Sequence, residues 1–221
     1  MKAIAIDGPS GAGKSTMARK LAEKLGFIYV DTGALYRAIG LFALSVGANI
    51  YEPASVSGIL AGIDISLKYT DGQQQVILNG KDVSGEIRSE AVSMAASAVS
   101  AIPRVREFLL DTQRKLAREN NVIMDGRDIG TVVLPDADLK IFLTASPEER
   151  ANRRYNQLIK KGVSANYDAV LKDLEKRDYD DSNREICPLK PAEDSVIVDT
   201  TGNELEESVE LLFNIVKENL K

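Results

Sequence analysis

The chain has 221 residues, of which 44% are hydrophobic and 28% charged, and its formal net charge is −5. That usage suits one globular domain with room for an inserted subdomain. It argues against a general nucleic-acid binder, whose affinity rests on neutralising phosphates, and no apolar run approaches the roughly 20 residues of a membrane span. Histidine is absent, which removes histidine acid–base chemistry and histidine metal ligation. Cys187 is the only cysteine, so no internal disulfide forms. No signal-peptide pattern is read at the N-terminus, and a cytoplasmic setting is expected.

Residues 3–6, Ala-Ile-Ala-Ile, predict a short buried strand. Residues 8–16 follow at once and read GPSGAGKST. Gly8, Gly13, Lys14 and Ser15 fit the strand–GxxxxGKS/T–helix pattern of a P-loop. Glycines let the backbone turn successive N–H groups inward onto a phosphate, and the helix N-terminus behind them adds partial positive charge. Gly8, Pro9, Ser10, Gly11, Ala12, Gly13, Lys14, Ser15 and Thr16 are therefore the expected ATP-binding segment. Lys14 would reach the β/γ-phosphates and the Ser15 hydroxyl would ligate Mg²⁺. Met17, Ala18, Leu21, Ala22 and Leu25 then recur at helical spacing, with Gly26 as a stop.

Residues 27–30 predict a second strand. Residues 63–69 and 75–78 are strand-like around the turn signal Thr70, Asp71, Gly72, and Asn79-Gly80 marks a further turn. A small antiparallel insert between the second and third core strands is expected, then a helix over 89–101. Pro103 opens another helix with Val105, Leu109, Leu116 and Ala117 inward. Residues 122–124 are a third strand ending on Asp125, the Walker B arrangement, in which the carboxylate orients Mg²⁺ directly or through water. Gly126, Arg127 and Asp128 follow at the C-terminal edge, where open α/β sheets bind ligands. Residues 139–143 and 196–198 complete about five strands. Ser146 and Glu149 have capping-box spacing with Pro147 at the first helical position. Asn203 and Glu206 are expected to cap the last helix, with Val209, Leu212, Phe213 and Val216 inward. The alternation predicts a three-layer, doubly wound parallel α/β fold.

Arg150, Arg153 and Arg154 share one helical face, and Arg150 has only like charges three and four residues on. A polyphosphate among them accounts for the cluster better than a solvated surface does. The DxxG and NKxD pair of a regulatory GTPase is absent, and a helicase or transporter ATPase would be larger. One P-loop, an insert and an Arg-rich distal hairpin predict a small-molecule kinase.

Five blocks go further: 6–14 (IDGPSGAGK), 31–37 (DTGALYR), 102–106 (IPRVR), 125–133 (DGRDIGTVV), and Arg177-Asp178 with Ser182, Asn183, Arg184, Pro188 and Leu189. In these the chain resembles the bacterial cytidylate kinases, nearly end to end; Thr32 stands where a serine is also familiar. The resemblance implies a nucleoside monophosphate kinase fold over 1–221, with an inserted monophosphate-binding subdomain near 63–100 and a helical lid near 150–184 that closes over the phosphates. It implies transfer of the γ-phosphoryl of ATP to CMP or dCMP with Mg²⁺ as cofactor. Lys14, Arg127, Arg153 and Arg154 are then the catalytic cations, and Ser15 and Asp125 hold the metal, Asp125 through water. Thr32, Arg37 and Arg127 resemble acceptor-phosphate contacts, Arg106, Asp128 and Arg184 readers of the cytosine edge, and Ser97, Arg177 and Asp181 pentose contacts. The expected partners are ATP and CMP or dCMP, with no nucleic acid, no membrane and a monomeric chain. A kinase for another nucleoside monophosphate or small acceptor, and a non-catalytic nucleotide-dependent module, are the alternatives.

Overall fold

Ala3, Ile4, Ala5 and Ile6 build β1 (Ala3–Asp7), which is buried from Ile4 onward, as a strand covered on both faces requires. The computed structural model describes residues 1–70 and 73–220. Its contacts divide the chain into two units, one of Ile28–Asn120 with Met1, the other of Lys2–Phe27 and Asn121–Lys221.

The second of these holds β1, α1 (Lys14–Leu25), β6 (Val122–Gly126), β7 (Leu139–Thr144), α6 (Pro147–Lys160), α7 (Tyr167–Asn183), β8 (Val196–Asp199) and α8 (Leu205–Asn219). Four strands run parallel in the order β6-β1-β7-β8. Ile6 lies opposite Asp125 and Ile141, and Asp7 opposite Gly126 and Phe142. The loops leaving β1 and β6 therefore emerge side by side at one sheet edge. α1 buries Met17, Ala18, Leu21 and Ala22, while Leu25 is only half-buried; Gly26 closes the helix with φ 67. α8 packs on α1 and buries Val209, Leu212 and Val216, whereas Phe213 stays half-buried between the ammonium groups of Lys24 and Lys217, each 4.3 Å from its ring centroid.

Two caps differ from expectation. α8 is closed by a capping box of Glu204 and Glu207, one residue beyond the Asn203 and Glu206 pair. A glutamate there satisfies the same amides as a short polar side chain. At α6 only half the box forms. Ser146 accepts from the Glu149 amide at 3.2 Å, but the Glu149 carboxylate takes Arg153, and the Ser146 amide turns to Thr201 Oγ1 at 2.9 Å.

The other unit holds β2 (Ile28–Asp31), α2 (Thr32–Ser45), α3 (Pro53–Ile59), β3 (Ile65–Thr70), β4 (Gln73–Leu78), β5 (Lys81–Asp82), α4 (Glu90–Ser100) and α5 (Pro103–Glu119). β2 supplies the fifth of the five core strands expected, and the α/β class stands. β3 and β4 pair antiparallel, with Ile65 opposite Leu78. Of the turn expected at 70–72, Asp71 and Gly72 lie outside the described residues. Asn79 (φ 48) and Gly80 (φ 81) make a left-handed two-residue turn into β5, a strand too short for any periodicity to reveal. Leu35, Ile39, Val56, Val76, Val92, Val99, Val105 and Leu109 form the core of this unit. On α5 the buried stripe is Val105, Arg106, Leu109 and Gln113, while Leu116 and Ala117 are half-buried. α2 and α4 pack closely at Gly40, where a Cβ would lie 3.0 Å from the Ala96 amide nitrogen and 3.1 Å from Ala95 Cβ.

Gly40→Ala is expected to overpack that crossing and cost about 1–3 kcal/mol of stability. Urea unfolding measures it, and an unchanged midpoint would mean that the two helices separate freely.

Candidate active site

A P-loop needs glycine where the chain turns left-handed, and Gly11 (φ 77) and Gly13 (φ 88) sit in that region. At Gly8 the constraint is space, since a Cβ would fall 1.9 Å from the Leu143 carbonyl oxygen. Gly13 ends the loop and opens α1, accepting from the Thr16 and Met17 amides at 3.1 and 3.0 Å. No side chain caps α1 and its first turn carries no acid. Its leading amides are therefore left to an anion.

Lys14 is buried, and its Nζ donates to the Pro9 carbonyl at 2.7 Å, across the inside of the loop. Burial, reinforced by the charge of Arg127, pushes its pKa down to about 7 against the pull of Asp125, Asp7 and Asp181. Ser15 Oγ donates to Asp125 Oδ2 at 2.9 Å, which joins the P-loop hydroxyl to the Walker B carboxylate. Those two groups are hard oxygen ligands of the kind Mg²⁺ takes. Among the described residues no group of three or more His, Cys, Asp or Glu side chains is arranged to hold a metal, so a cation here would draw its remaining ligands from phosphate and water.

The three clustered arginines have separate fates. Arg150 is buried inside α6. It donates from Nε to the Ala145 carbonyl at 2.9 Å and from Nη1 to the Ser10 carbonyl at 3.0 Å, and it pairs with Asp178 at 2.5 Å. Asp178 also accepts from the Ser10 amide at 3.4 Å. Both backbone groups of Ser10 are thus gripped by one ion pair of a buried arginine and a half-buried aspartate, a clamp on the loop that sequence reasoning missed. Arg153 pairs with Glu149 four residues earlier and donates to Thr200, with Nη1 3.5 Å from the Ala12 carbonyl. Arg154 bonds Gln157 on the exposed side.

The expected acceptor residues are divided between the units. In the Ile28–Asn120 unit, Thr32 and Arg37 lie on α2, Ser97 on α4 and Arg106 on α5. Asp31 Oδ1 caps α2 through the Ala34 amide at 2.9 Å, and its Oδ2 holds Arg37 at 2.8 Å. Gln74 of the insert accepts from the Asp31 amide at 2.9 Å. Arg37 Nε is buried without a hydrogen bond among the described residues. Arg106 donates to the Ser100 carbonyl at 3.0 Å and stacks 5.6 Å over the Tyr36 ring, while Ser97 is exposed. In the other unit, Asp181 binds Arg127 at 2.7 Å and lies 3.7 Å from Arg184; Arg177 pairs with Asp173 at 3.1 Å. Burial works against the Arg127 charge, but Asp181, Asp125 and Asp178 outweigh it and raise its pKa. Asp128 is buried and opens a π-helical turn, Ile129–Val133.

Asp7 is the second residue the sequence did not single out. Its carboxylate accepts from the Ile129 and Gly130 amides at 2.8 and 2.7 Å. Burial holds its pKa up at about 6, against those two amides and Lys14 and with help from Asp128. Its partners lie 122 and 123 residues away, and an apolar strand ending in Asp is too common to mark it.

Arg150→Met is expected to leave Asp178 without its counter-charge and the Ser10 carbonyl without its donor, and to cost about 3 kcal/mol in urea unfolding. A loss below 1 kcal/mol, as for an exposed pair, would contradict the clamp. A pH dependence follows from Asp7. Its folded pKa of about 6 lies above its ordinary 3.8, so the folded state binds the extra proton and stability falls as pH rises through that window. The drop is about 3 kcal/mol at roughly 1.4 kcal/mol per unit. Unfolding of the wild type and Asp7→Asn at either end of the window checks this, because the substitution removes the slope; parallel slopes would refute it.

Comparison with known proteins agrees with this geometry. The family model described as cytidylate kinase matches residues 4–218. A cytidylate kinase of Caldanaerobacter subterraneus is 51% identical over 218 residues, covering 99% of this chain and 96% of that protein. One from Pasteurella multocida is 45% identical over 217 residues, covering 98% and 96%. The crystal structure of an uncharacterized protein from Eubacterium ventriosum superposes with a TM-score of 0.52 at 11% identity, covering 98% of this chain and 99% of that one, which speaks for the fold alone. No helix among the described residues is long and apolar enough to cross a membrane. With the family model matched almost end to end and relatives 45% and 51% identical over nearly the whole chain, this chain belongs to the cytidylate kinase family.

Proposed function

We propose that the protein transfers the γ-phosphoryl group of ATP to CMP or dCMP, releasing ADP and CDP or dCDP. The family match over residues 4–218 carries this reading. The built P-loop supports its donor half, and Arg37, with a buried donor atom to spare, supports its acceptor half.

No protein base is required. A phosphate monoester has a second pKa near ~6, so the acceptor oxygen is mostly anionic at pH 7. That oxygen bonds to the γ-phosphorus as the bond to the β–γ bridging oxygen breaks, and the electron pair leaves with ADP. Catalysis is alignment and charge neutralisation of a loose in-line transfer. Bound at Ser15 and Asp125, Mg²⁺ would supply further neutralisation of the phosphates. Lys14 exchanges the Pro9 carbonyl for phosphate oxygens, and Arg127, Arg153 and Arg154 exchange their carboxylate, carbonyl and amide partners in the same way. Thr32, Arg37 and Arg127 hold the acceptor phosphate, and Ser97, Arg177 and Asp181 the pentose. Asp128 accepts from cytosine N4, while Arg106 and Arg184 donate to N3 and O2. Uracil inverts that edge, setting O4 against the Asp128 carboxylate. In this reading 63–100 is the monophosphate-binding insert and 150–184 the lid of a monomeric, cytoplasmic enzyme that binds neither nucleic acid nor membrane; the single half-buried thiol of Cys187 suits that compartment.

Coupled ADP release against a panel of monophosphates tests the proposal. CMP and dCMP are expected to stimulate it far above UMP, and turnover that ignores the base would sink the acceptor assignment. Lys14→Ala is expected to lower turnover by about 100-fold or more while CMP affinity by calorimetry changes little. Equal losses in both would contradict the separation of donor and acceptor roles.

A further inference from the structure

Gln74 has no task in the transfer just described, yet both polar atoms of its side chain are spent on one residue of the acceptor half. From β4 its Oε1 accepts from the Asp31 amide at 2.9 Å, and its Nε2 donates to the Asp31 carbonyl at 3.4 Å. Only one orientation of a carboxamide serves an N–H and a C=O in this way, so the contact is directional. The two residues are 43 positions apart and lie in the same unit, Ile28–Asn120. Val76 and Leu78 share the face of β4 on which Gln74 stands, and both are buried in the apolar core. A polar side chain at the head of that row needs a partner, and it finds the backbone of Asp31.

Asp31 carries the contact onward. It ends β2 and caps α2, with Oδ1 accepting from the Ala34 amide at 2.9 Å and Oδ2 from Arg37 Nη2 at 2.8 Å. The ion pair holds the Arg37 side chain back along α2 toward the N-terminus of the helix. It passes over Gly33, where a Cβ would lie 3.2 Å from Asp31 Oδ1 and 3.3 Å from Arg37 Nη1. No acidic residue occupies the first turn of α2. Guanidinium and helix N-terminus therefore add their positive potential at one place. Arg37 Nε is buried there without a hydrogen bond among the described residues. A buried donor left unpaired is costly, and an anionic oxygen satisfies it.

We infer that Gln74 is a positioning residue for the acceptor phosphate: it fixes the backbone of Asp31 and, through the Asp31 carboxylate, the guanidinium of Arg37. This rests on the proposed transfer to CMP, in which Arg37 holds that phosphate. It gives the insert a part in acceptor binding through a single carboxamide.

Gln74→Met keeps the length of the side chain and removes both bonds. The value of kcat/KM for CMP is expected to fall about tenfold, the worth of two neutral hydrogen bonds, with the KM for ATP within about twofold. Losses in the CMP and ATP parameters together would overturn the inference. In an Arg37→Met background the same substitution is expected to cost less than about twofold, since its route to the phosphate is gone. A full loss in both backgrounds would overturn the inference, because a contact that only shapes the insert acts with or without Arg37. Hydrogen exchange of the Asp31 amide gives a readout that needs no variant. Coupling is reciprocal, so CMP is expected to slow that exchange in the wild-type protein while ATP alone leaves it unchanged. An exchange rate indifferent to CMP would overturn the link. The two readings fail separately. Wild-type protein that ignores CMP overturns the proposed activity and this role with it, whereas wild-type turnover on CMP with an unchanged kcat/KM in Gln74→Met overturns this inference alone.

Discussion

A buried cation needs a counter-charge, and that requirement shapes this protein more than any other. The chain carries a net charge of −5 and belongs to a family of nucleotide kinases, so its positive charge has to be local. Arg37 is held by Asp31, Arg127 by Asp181, Arg150 by Asp178, Arg153 by Glu149 and Arg177 by Asp173. The pairs differ in burial, and burial decides what each can do. The Arg150 side chain is 4% exposed and its donors are spent on backbone carbonyls, so the pair is fixed architecture. The side chains of Arg37, Arg127, Arg153 and Arg177 are 25–30% exposed. Their carboxylates compete with water, and a phosphate that replaces one of them leaves the guanidinium compensated throughout.

The parallel sheet supplies the second half of the arrangement. Setting Ile6 beside Asp125 and Asp7 beside Gly126 brings the P-loop and the segment 126–128 out of the sheet at one level. From there the bond between Ser15 and Asp125 and the bonds from Asp7 to Ile129 and Gly130 need no long side chains. The glycines matter for the same reason. Gly8 lies against the Leu143 carbonyl, so the P-loop is drawn onto the sheet more closely than a Cβ would permit, and at Gly130 a Cβ would press on the Lys140 stem at 3.2 Å.

What the sequence displayed was local. The core strands, the loop 8–16, Pro103 and Pro147 at helix starts and the Asn79-Gly80 turn each depend on a few adjacent residues, and each is present. The clamp on Ser10 joins residues 140 and 168 positions apart, and the cap from Asp7 spans 122 and 123. Neither has a periodicity to read. The arginine cluster has carboxylate partners that its own spacing does not display. Scanning forward from Arg150 finds like charge at three and four residues on, but its partner Asp178 is on another helix, and Glu149 stands four residues before Arg153. On α5 the stripe expected from apolar residues runs further toward the C-terminus than the buried one, because Arg106 and Gln113 look solvent-facing, whereas both are buried and the Arg106 guanidinium lies over Tyr36.

The same logic explains why the acceptor residues carry so much of the specificity in the proposed reading. A P-loop binds phosphates through backbone amides and one lysine, groups that see charge and not the base. Discrimination among bases needs a donor or acceptor of fixed identity in a dry place, where a mismatch leaves a buried group unpaired. Asp128 is 5% exposed and Arg106 9%, so both meet that condition, and both are held by backbone that is itself tied down: the turn after Asp128 by Asp7, the start of α5 by Ile102, whose carbonyl accepts from the Arg106 amide at 3.3 Å. In that reading, rigidity at those two points would turn a hydrogen-bond pattern into selectivity, because a loose carboxylate would swing aside and tolerate uracil.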